Sequence, residues 1–413
     1  MLFTESFSLK NFIVVGSKFF YAFSYFIFLI ILQNNANLTE FENFAKYMSV
    51  VGFISLIAHY GQSKSLLHEF KENINDYDQL GNKVSESLNL ISILVVFTFP
   101  IVLLLNESLA ISSLLISFLS AISIMNYISQ YFLNFLFAKL RLNILFSLLI
   151  FFLSPLVSIA SLLFFIYVSK LDLELYLIIV AFELIRSVIN ILLYFYLFKK
   201  LRIIKNYSFR LPQIKESFLI SISDILANSA KHFYIIFLSY YATSEDIAFL
   251  YIVLRFCELI ILPAKALLNR YIPDISELFF RNNIGEMNKK IFEQIVLLSS
   301  GILAMLAILG FMYQYIFNLF SIQQSYLDVF IIFIIAAAIS SIFYYQETLL
   351  ILEKRYSSLI FFITLEILLF MVMCIISYEI FGLVGIGIFY LIFKFIKHAY
   401  LLILQNNYNF LNG

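Results

Sequence analysis

The chain has 413 residues, of which 62% are hydrophobic and 13% are charged, whereas charged residues make up roughly 25% of an ordinary soluble domain. The mean hydropathy of +0.95 excludes a soluble globular enzyme and a disordered chain, because too few polar residues are present to cover a water-exposed surface. The formal net charge of +1 provides no general attraction to nucleic acid. We therefore predict an integral membrane protein.

A transmembrane helix needs about 20 mostly apolar residues, and twelve segments meet this requirement. In chain order the predicted spans are 11–32, 45–63, 88–105, 109–137, 142–169, 175–198, 217–241, 247–269, 291–317, 327–352, 356–378 and 382–405. The fourth and fifth are the clearest, since neither contains a charged residue. This pattern predicts an all-α, polytopic membrane protein with about twelve transmembrane helices.

The positive charges predict the orientation of these spans. Lys and Arg in the connecting segments and at the span ends divide into 20 on one side, including Lys394 and Lys397 near the C-terminus, and 2, Lys46 and Lys170, on the other. Because loops rich in Lys and Arg remain in the cytoplasm, we predict that both termini are cytoplasmic.

A basic segment at 199–216 divides the chain into six predicted spans on each side, 1–198 and 217–413. Similar features follow in the same order in both halves: Thr39-Glu40 corresponds to Ser244-Glu245, and Lys139 to Lys354. Because each half has an even number of spans, both halves begin in the cytoplasm. The repeat is therefore parallel, with its pseudo-twofold axis along the membrane normal. Parallel repeats are a transporter architecture, with the substrate site between the halves.

Short segments at the span junctions carry a family resemblance. They are Ala58-His59-Tyr60-Gly61-Gln62, Ser244-Glu245-Asp246-Ile247-Ala248-Phe249 and Tyr271-Ile272-Pro273-Asp274-Ile275-Ser276-Glu277-Leu278. Together with the span number and the repeat, they resemble polysaccharide-type flippases of the multidrug/oligosaccharidyl-lipid/polysaccharide exporter (MOP) superfamily. The resemblance implies a protein of the bacterial inner membrane that moves polyprenyl-diphosphate-linked oligosaccharides, through a cavity lined by the first two helices of each half.

Ionisable side chains inside the spans concentrate in the first, seventh and eighth spans. They are Lys18, Asp224, Lys231, Arg255, Glu258 and Lys265. Since a charge at mid-bilayer costs at least about 2.5–3.5 kcal/mol, it requires a wet cavity, a partner or a function. A diphosphate requires fixed cations, so the predicted substrate-binding residues are Lys18, Lys46, Lys231, Arg255 and Lys265.

The predicted ion-coupling residues are Asp224 and Glu258, which would bind a proton or a sodium ion. A structural alternative stays open, because Arg255 with Glu258, and Asp224 with Lys231, have the helical spacing at which opposite charges neutralise each other. Lys265 could equally extend to the cytoplasmic face.

Other polar residues in the spans favour structural roles. Glu183 and Arg186 are three residues apart and predict a structural ion pair. The uncharged stripe Ser123, Asn126, Gln130 and Asn134 predicts hydrogen bonds between helices. Lys394 and Lys397 are expected to extend to the membrane surface, and Glu366 has no assigned role.

The predicted function is a flippase for a lipid-linked oligosaccharide, such as an O-antigen unit, that works by alternating access. Its predicted partners are this substrate and membrane lipids, and it is expected to work as a monomer or together with other polysaccharide-assembly proteins. The sequence contains no Gly-rich phosphate loop, no zinc-binding spacing and only the isolated cysteines Cys257 and Cys374. We therefore predict no enzyme activity, no cofactor and no metal, and no nucleic-acid partner. The alternatives are a cation-coupled drug antiporter of the same superfamily and, less favoured, a membrane polymerase, which would need a large external loop.

Overall fold

The computed structural model describes residues 9–59, 77–108, 114–139, 147–168, 174–200, 222, 231–281, 283–352 and 356–411. Every regular element in these ranges is helical. The helices are α1 (Leu9–Asn35), α2 (Leu38–His59), α3 (Tyr77–Ser108), α4 (Leu114–Lys139), α5 (Ser154–Leu163), α6 (Leu175–Lys200), α7 (231–238), α8 (Ser244–Phe280), α9 (Ile284–Leu319), α10 (Leu327–Ile342), α11 (Tyr345–Leu352) and α12 (Tyr356–Leu411).

The helices agree with the spans predicted from hydropathy. Each predicted span other than the seventh is helical over most of its described residues, and the seventh is described mainly at 231–241. Within the described ranges, 8 helices are long and apolar enough to cross a membrane. The predicted all-α, polytopic fold class is therefore confirmed.

Helix α12 consists of two arms joined by a tight break at Gly382. This residue has φ +59° and ψ −148°, a conformation open to glycine but not to residues with a Cβ. Lys394 Nζ in the second arm lies 2.5 Å from Glu366 Oε1 in the first, although 28 residues of continuous helix would separate them by about 42 Å. The arms therefore fold back on each other, as the predicted spans 356–378 and 382–405 require.

The segment around α5 departs from regular α-helical geometry. Residues Ser147–Leu153 and Phe164–Val168, on either side of α5, form π-helical turns. Pro155 occupies the first turn of α5 and, having no N–H group, cannot donate a hydrogen bond back into the π-helical turn that precedes it. The sequence predicted one continuous span here, whereas the backbone changes its winding twice.

The chain divides into two compact units, Met1–Ile247 (unit 1) and Ala248–Gly413 (unit 2). The predicted division at the basic linker 199–216 stays a prediction, because residues 201–216 lie outside the described ranges.

In unit 1, α4 packs against α2 and α6, and α5 packs against α1 and α6. Phe28, Phe44 and Phe182 form an aromatic group between α1, α2 and α6. Helices α2 and α7 approach closely at Gly52, where an added Cβ would lie 2.2 Å from Cε1 of His232. A larger residue at position 52 would therefore force the His232 imidazole to move.

In unit 2, α10 is the central helix and packs against α9 and α12. Cys257 Sγ of α8 donates to the carbonyl oxygen of Phe333 at 3.4 Å, and Ser341 Oγ donates to that of Ile260 at 3.1 Å. The Phe333 ring stacks on Tyr390 of α12, with centroids 5.2 Å apart. These contacts hold both α8 and α12 against α10.

Candidate functional site

Arg255 and Glu258, the central candidates of the predicted site, form a contact along one face of α8. Arg255 Nη1 donates to Glu258 Oε2 at 2.6 Å, and Arg255 Nη2 donates to Tyr251 Oη at 3.0 Å. The guanidinium also lies over the Tyr251 ring, 4.7 Å from its centroid. Side-chain exposure is 15% for Arg255 and 31% for Glu258, so a molecule approaching this face can reach both charges.

The remaining candidates are described unevenly. Lys46 Nζ lies 2.5 Å from Glu42 Oε1, one turn away on α2, so this cation is paired with a carboxylate to which sequence analysis assigned no role. Lys18 of α1 and Lys231 of α7 are half-buried. Asp224 and the side chain of Lys265 lie outside the described residues. Their predicted roles therefore stay predictions.

Unit 1 contains a second ion pair, and this one is fully enclosed. Arg186 Nη1 donates to Glu183 Oε1 at 3.0 Å, and both side chains are 2% exposed. Arg186 Nη2 donates to Gln130 Oε1 of α4, and the guanidinium lies 4.4 Å from the centroid of the Tyr127 ring. The predicted structural ion pair is confirmed in its geometry.

The polar stripe on α4 forms hydrogen bonds with this ion pair and with the residues next to it. Asn126 Nδ2 lies 3.0 Å from Glu183 Oε2 and 2.9 Å from Ser187 Oγ. The Oδ1 atom of Asn126 accepts from Asn190 Nδ2 at 3.1 Å, and Ser123 Oγ lies 2.6 Å from Tyr47 Oη. The predicted hydrogen bonds between helices are therefore confirmed for the described part of the stripe.

The prediction that Lys394 and Lys397 extend to the membrane surface is wrong. Lys394 Nζ lies 2.5 Å from Glu366 Oε1 and Lys397 Nζ lies 4.0 Å from Glu366 Oε2, with side-chain exposures of 13%, 5% and 4% for the three residues. A buried carboxylate attracts both ammonium groups inward, because the attraction between charges is stronger away from water. The available signal was a lone acid in one span facing two lysines at i, i+3 in the next.

A buried histidine follows directly after Lys397 in the same arm of α12. His398 Nδ1 lies 2.9 Å from Gln346 Oε1, and the imidazole stacks on Phe343 with centroids 5.5 Å apart. Sequence reasoning gave His398 no role, because its partner lies 52 residues earlier.

The carboxylates inside the helices share one property. Glu42, Glu183 and Glu366, the buried acids of the described ranges, each contact a Lys or Arg, and so does the half-exposed Glu258. Binding another cation at any of them requires the resident ion pair to open. Within the described ranges, no group of His, Cys, Asp and Glu could hold a metal ion.

Several solved structures share this fold over nearly the whole chain. The MATE multidrug transporter DinF-BH superposes with a TM-score of 0.68 at 13% identity, covering 96% of this chain and 94% of that one. An outward-facing multidrug resistance MATE family transporter of the MOP superfamily gives 0.63 at 14% identity, with the same coverage. A MOP superfamily transporter from Pyrococcus furiosus gives 0.65 at 11% identity, also covering 96% and 94%. Its binding pocket is described as having reverse polarity, which suggests a different function.

No protein-family profile and no curated protein sequence matches the chain. At such low identity the structural likeness establishes the fold, and the chain has the fold of MATE transporters of the MOP superfamily. The predicted superfamily thus agrees with the fold, whereas these structures do not support the polysaccharide subtype.

Proposed function

We propose that this chain is a multi-pass secondary transporter that works by alternating access, and that drug antiport coupled to a cation is its first candidate function. The observation that carries this proposal is the likeness, over 96% of the chain, to transporters described as multidrug MATE proteins. The absence of a nucleotide-binding motif from the sequence favours an ion gradient as the source of energy.

On this proposal Glu258 is the side chain that receives a cationic drug. It is the most exposed of the paired carboxylates, and its partner Arg255 lies on the same helix. Opening this pair costs less than opening the enclosed pair of α6, because its side chains are 15% and 31% exposed rather than 2%. A substrate cation would displace the guanidinium from Glu258, while Arg255 would keep its contact with Tyr251. Asp224 or Glu258 would bind the coupling proton or sodium ion.

A second candidate function is the flipping of a lipid-linked oligosaccharide, and one observation favours it. Within the predicted spans, the described charged side chains that are buried or half-buried comprise seven cations and three carboxylates. The cations are Lys18, Lys46, Arg186, Lys231, Arg255, Lys394 and Lys397, and the carboxylates are Glu183, Glu258 and Glu366. A cationic interior suits a diphosphate better than a cationic drug. On this proposal Lys18, Lys46, Lys231, Arg255 and Lys265 would bind the diphosphate or acidic sugars.

Two variants of one ion pair distinguish these functions. If the substrate is cationic, Glu258→Gln weakens its binding and Arg255→Gln preserves or strengthens it. If the substrate is a diphosphate, Arg255→Gln abolishes binding and Glu258→Gln preserves it. Purified protein in lipid nanodiscs would be titrated with a fluorescent cationic dye and, separately, with a polyprenyl-diphosphate-linked oligosaccharide.

Transport in proteoliposomes, with an imposed proton or sodium gradient, completes the test. Lys289→Gln provides a matched control, because Lys289 is an exposed cation on α9 outside the predicted spans. Failure of the wild-type protein to bind or move either substrate would contradict both candidate functions. Equal rates with and without every gradient would contradict the coupling part alone.

A further inference from the structure

Unit 1 contains a small internal cavity where α1, α5 and α6 meet, and neither candidate function uses it. Tyr21 and Ser24 of α1, Ser154 and Ser158 of α5, and Arg186 of α6 contribute polar side chains to its wall. The space accommodates about one water molecule. A cavity of this size with several hydroxyl groups in its wall suits a small polar ligand.

One hydrogen-bond donor at this cavity lacks a protein partner. The Nη atoms of Arg186 donate to Glu183 and Gln130, and its guanidinium plane packs against Tyr127 and Phe182. Its Nε, in contrast, has no hydrogen-bond partner, even though the residue is only 2% exposed and the atom is therefore shielded from solvent. Buried donors in folded proteins are almost always satisfied, and the exceptions require an explanation such as a bound ligand.

The backbone is also irregular at this point. The π-helical turn Ser147–Leu153 ends where the cavity begins, and Pro155 follows it in the cavity wall. Single π-helical turns within α-helices are frequent at functional sites, because they displace the backbone from regular packing. The local change of winding therefore coincides with both the cavity and the unsatisfied donor.

We propose that this cavity is a binding site for one small hydrogen-bond acceptor, a water molecule or a halide ion, that accepts from Nε of Arg186. Ser158 already donates to the carbonyl oxygens of Ser154 and Phe182, so the hydroxyl groups of Tyr21, Ser24 and Ser154 would provide the further polar contacts. The ligand then connects α1 and α5 to the buried ion pair of α6. Charge decides between the two acceptors. With Glu183 ionised the pair is neutral, which suits water; without that negative charge the guanidinium is unbalanced, which suits a halide.

The first test changes the charge beside the site. Glu183→Gln keeps the shape of the side chain and removes its charge, and the midpoint of thermal unfolding is measured in nanodiscs with chloride, bromide or gluconate at equal ionic strength. Stabilisation of the wild-type protein by halide over gluconate identifies a halide as the native ligand. Stabilisation of Glu183→Gln alone identifies water as the native ligand of a site able to bind halides. A bromide anomalous peak next to Arg186 would locate the ion.

The second test fills the cavity and remains informative if Glu183→Gln fails to fold. Ser24→Val places two methyl groups at the cavity wall, and Ser24→Ala removes the hydroxyl while leaving the space open. If a ligand is bound, Ser24→Val displaces it and lowers the unfolding midpoint below that of Ser24→Ala. An empty cavity gives the opposite order, because added methyl groups then improve packing. A midpoint for Ser24→Val above that of Ser24→Ala, together with no halide effect in any variant, would overturn the proposal.

Discussion

Two ion pairs in this protein have the same residue types at the same helical spacing but different surroundings. Glu183 and Arg186 on α6 are both 2% exposed, whereas Arg255 and Glu258 on α8 are 15% and 31% exposed. Both arginines also lie over a tyrosine ring, at 4.4 and 4.7 Å from its centroid. The i, i+3 spacing therefore predicts the contact and leaves its purpose undefined.

The two arginines also differ in the helix that provides their tyrosine contact. Arg186 takes Gln130 and Tyr127 from α4, whereas Arg255 takes Tyr251 from its own helix. A pair held by a neighbouring helix cannot open without disturbing that helix contact, and this restriction suits a structural role. The α8 pair, in contrast, keeps 15% and 31% of its side chains exposed, so a ligand can reach it. We infer that the α8 pair is the functional one of the two.

The largest expected effect is the removal of the buried cation. Arg186→Met leaves the Glu183 carboxylate enclosed without its ion partner, so we expect a loss of stability of about 3–5 kcal/mol, seen as low membrane yield and a lower unfolding midpoint. The double variant Glu183→Leu with Arg186→Met removes both charges and should recover much of the loss. A single variant as stable as the wild-type protein would show that the enclosure of this pair is not structural.

An intermediate effect is expected for the lysine pair of unit 2, which sharpens the comparison because it joins two helical arms. Lys394→Met removes the closer partner of Glu366 and leaves Lys397 at 4.0 Å. We expect a stability loss of about 1–3 kcal/mol, smaller than that of Arg186→Met because the second ammonium still compensates the carboxylate. Lys397→Met, which removes the more distant ammonium, should cost less. The opposite order of the two lysine variants would contradict the assigned partner.

A small change in stability is expected at the half-exposed pair, together with a large change in transport. Arg255→Gln should lower the free energy of unfolding by clearly less than Arg186→Met does, since Arg255 and Glu258 are less enclosed than the α6 pair. If the α8 pair serves the substrate, the same variant should change substrate affinity strongly, in the direction that the substrate charge dictates. A stability loss as large as that of Arg186→Met, with unchanged affinity, would reverse our assignment of the two pairs.

The sequence predicted the helices well, because the membrane determines the length and apolar character of a transmembrane helix, and tertiary contacts hardly change either. It also predicted that Asn126 and Gln130 bond between helices, since amides in a span require partners. It missed the inward direction of Lys394 and Lys397, because their orientation depends on the rotation of one arm of α12 against the other. The π-helical turns beside α5 and the unsatisfied Nε of Arg186 were equally inaccessible, because neither leaves a periodic pattern in the sequence.

The smallest expected effect concerns Glu40, an acid whose neighbour is another acid and which lies before the second predicted span. Burial raises the pKa of Glu40 above its ordinary value of 4.5, the nearby Glu174 raises it further, and the backbone N–H of Leu175 opposes both. Because the folded protein then binds the Glu40 proton more tightly than the unfolded chain does, its contribution to stability is complete below about pH 4.5. That contribution is lost as the pH rises through the raised pKa.

Glu40→Gln should therefore match the wild-type protein at low pH and be slightly more stable at neutral pH, as measured by unfolding midpoints at about pH 4 and about pH 7.5. Glu174→Gln offers a second measurement, because removing its charge lowers the pKa of Glu40 and should reduce the wild-type loss between the two pH values. If Glu40→Gln were less stable than the wild-type protein at neutral pH, its carboxylate would have to contact a cation, as Glu183, Glu258 and Glu366 do. Glu40 would then join the paired carboxylates, and the distinction between paired and unpaired acids in unit 1 would fail.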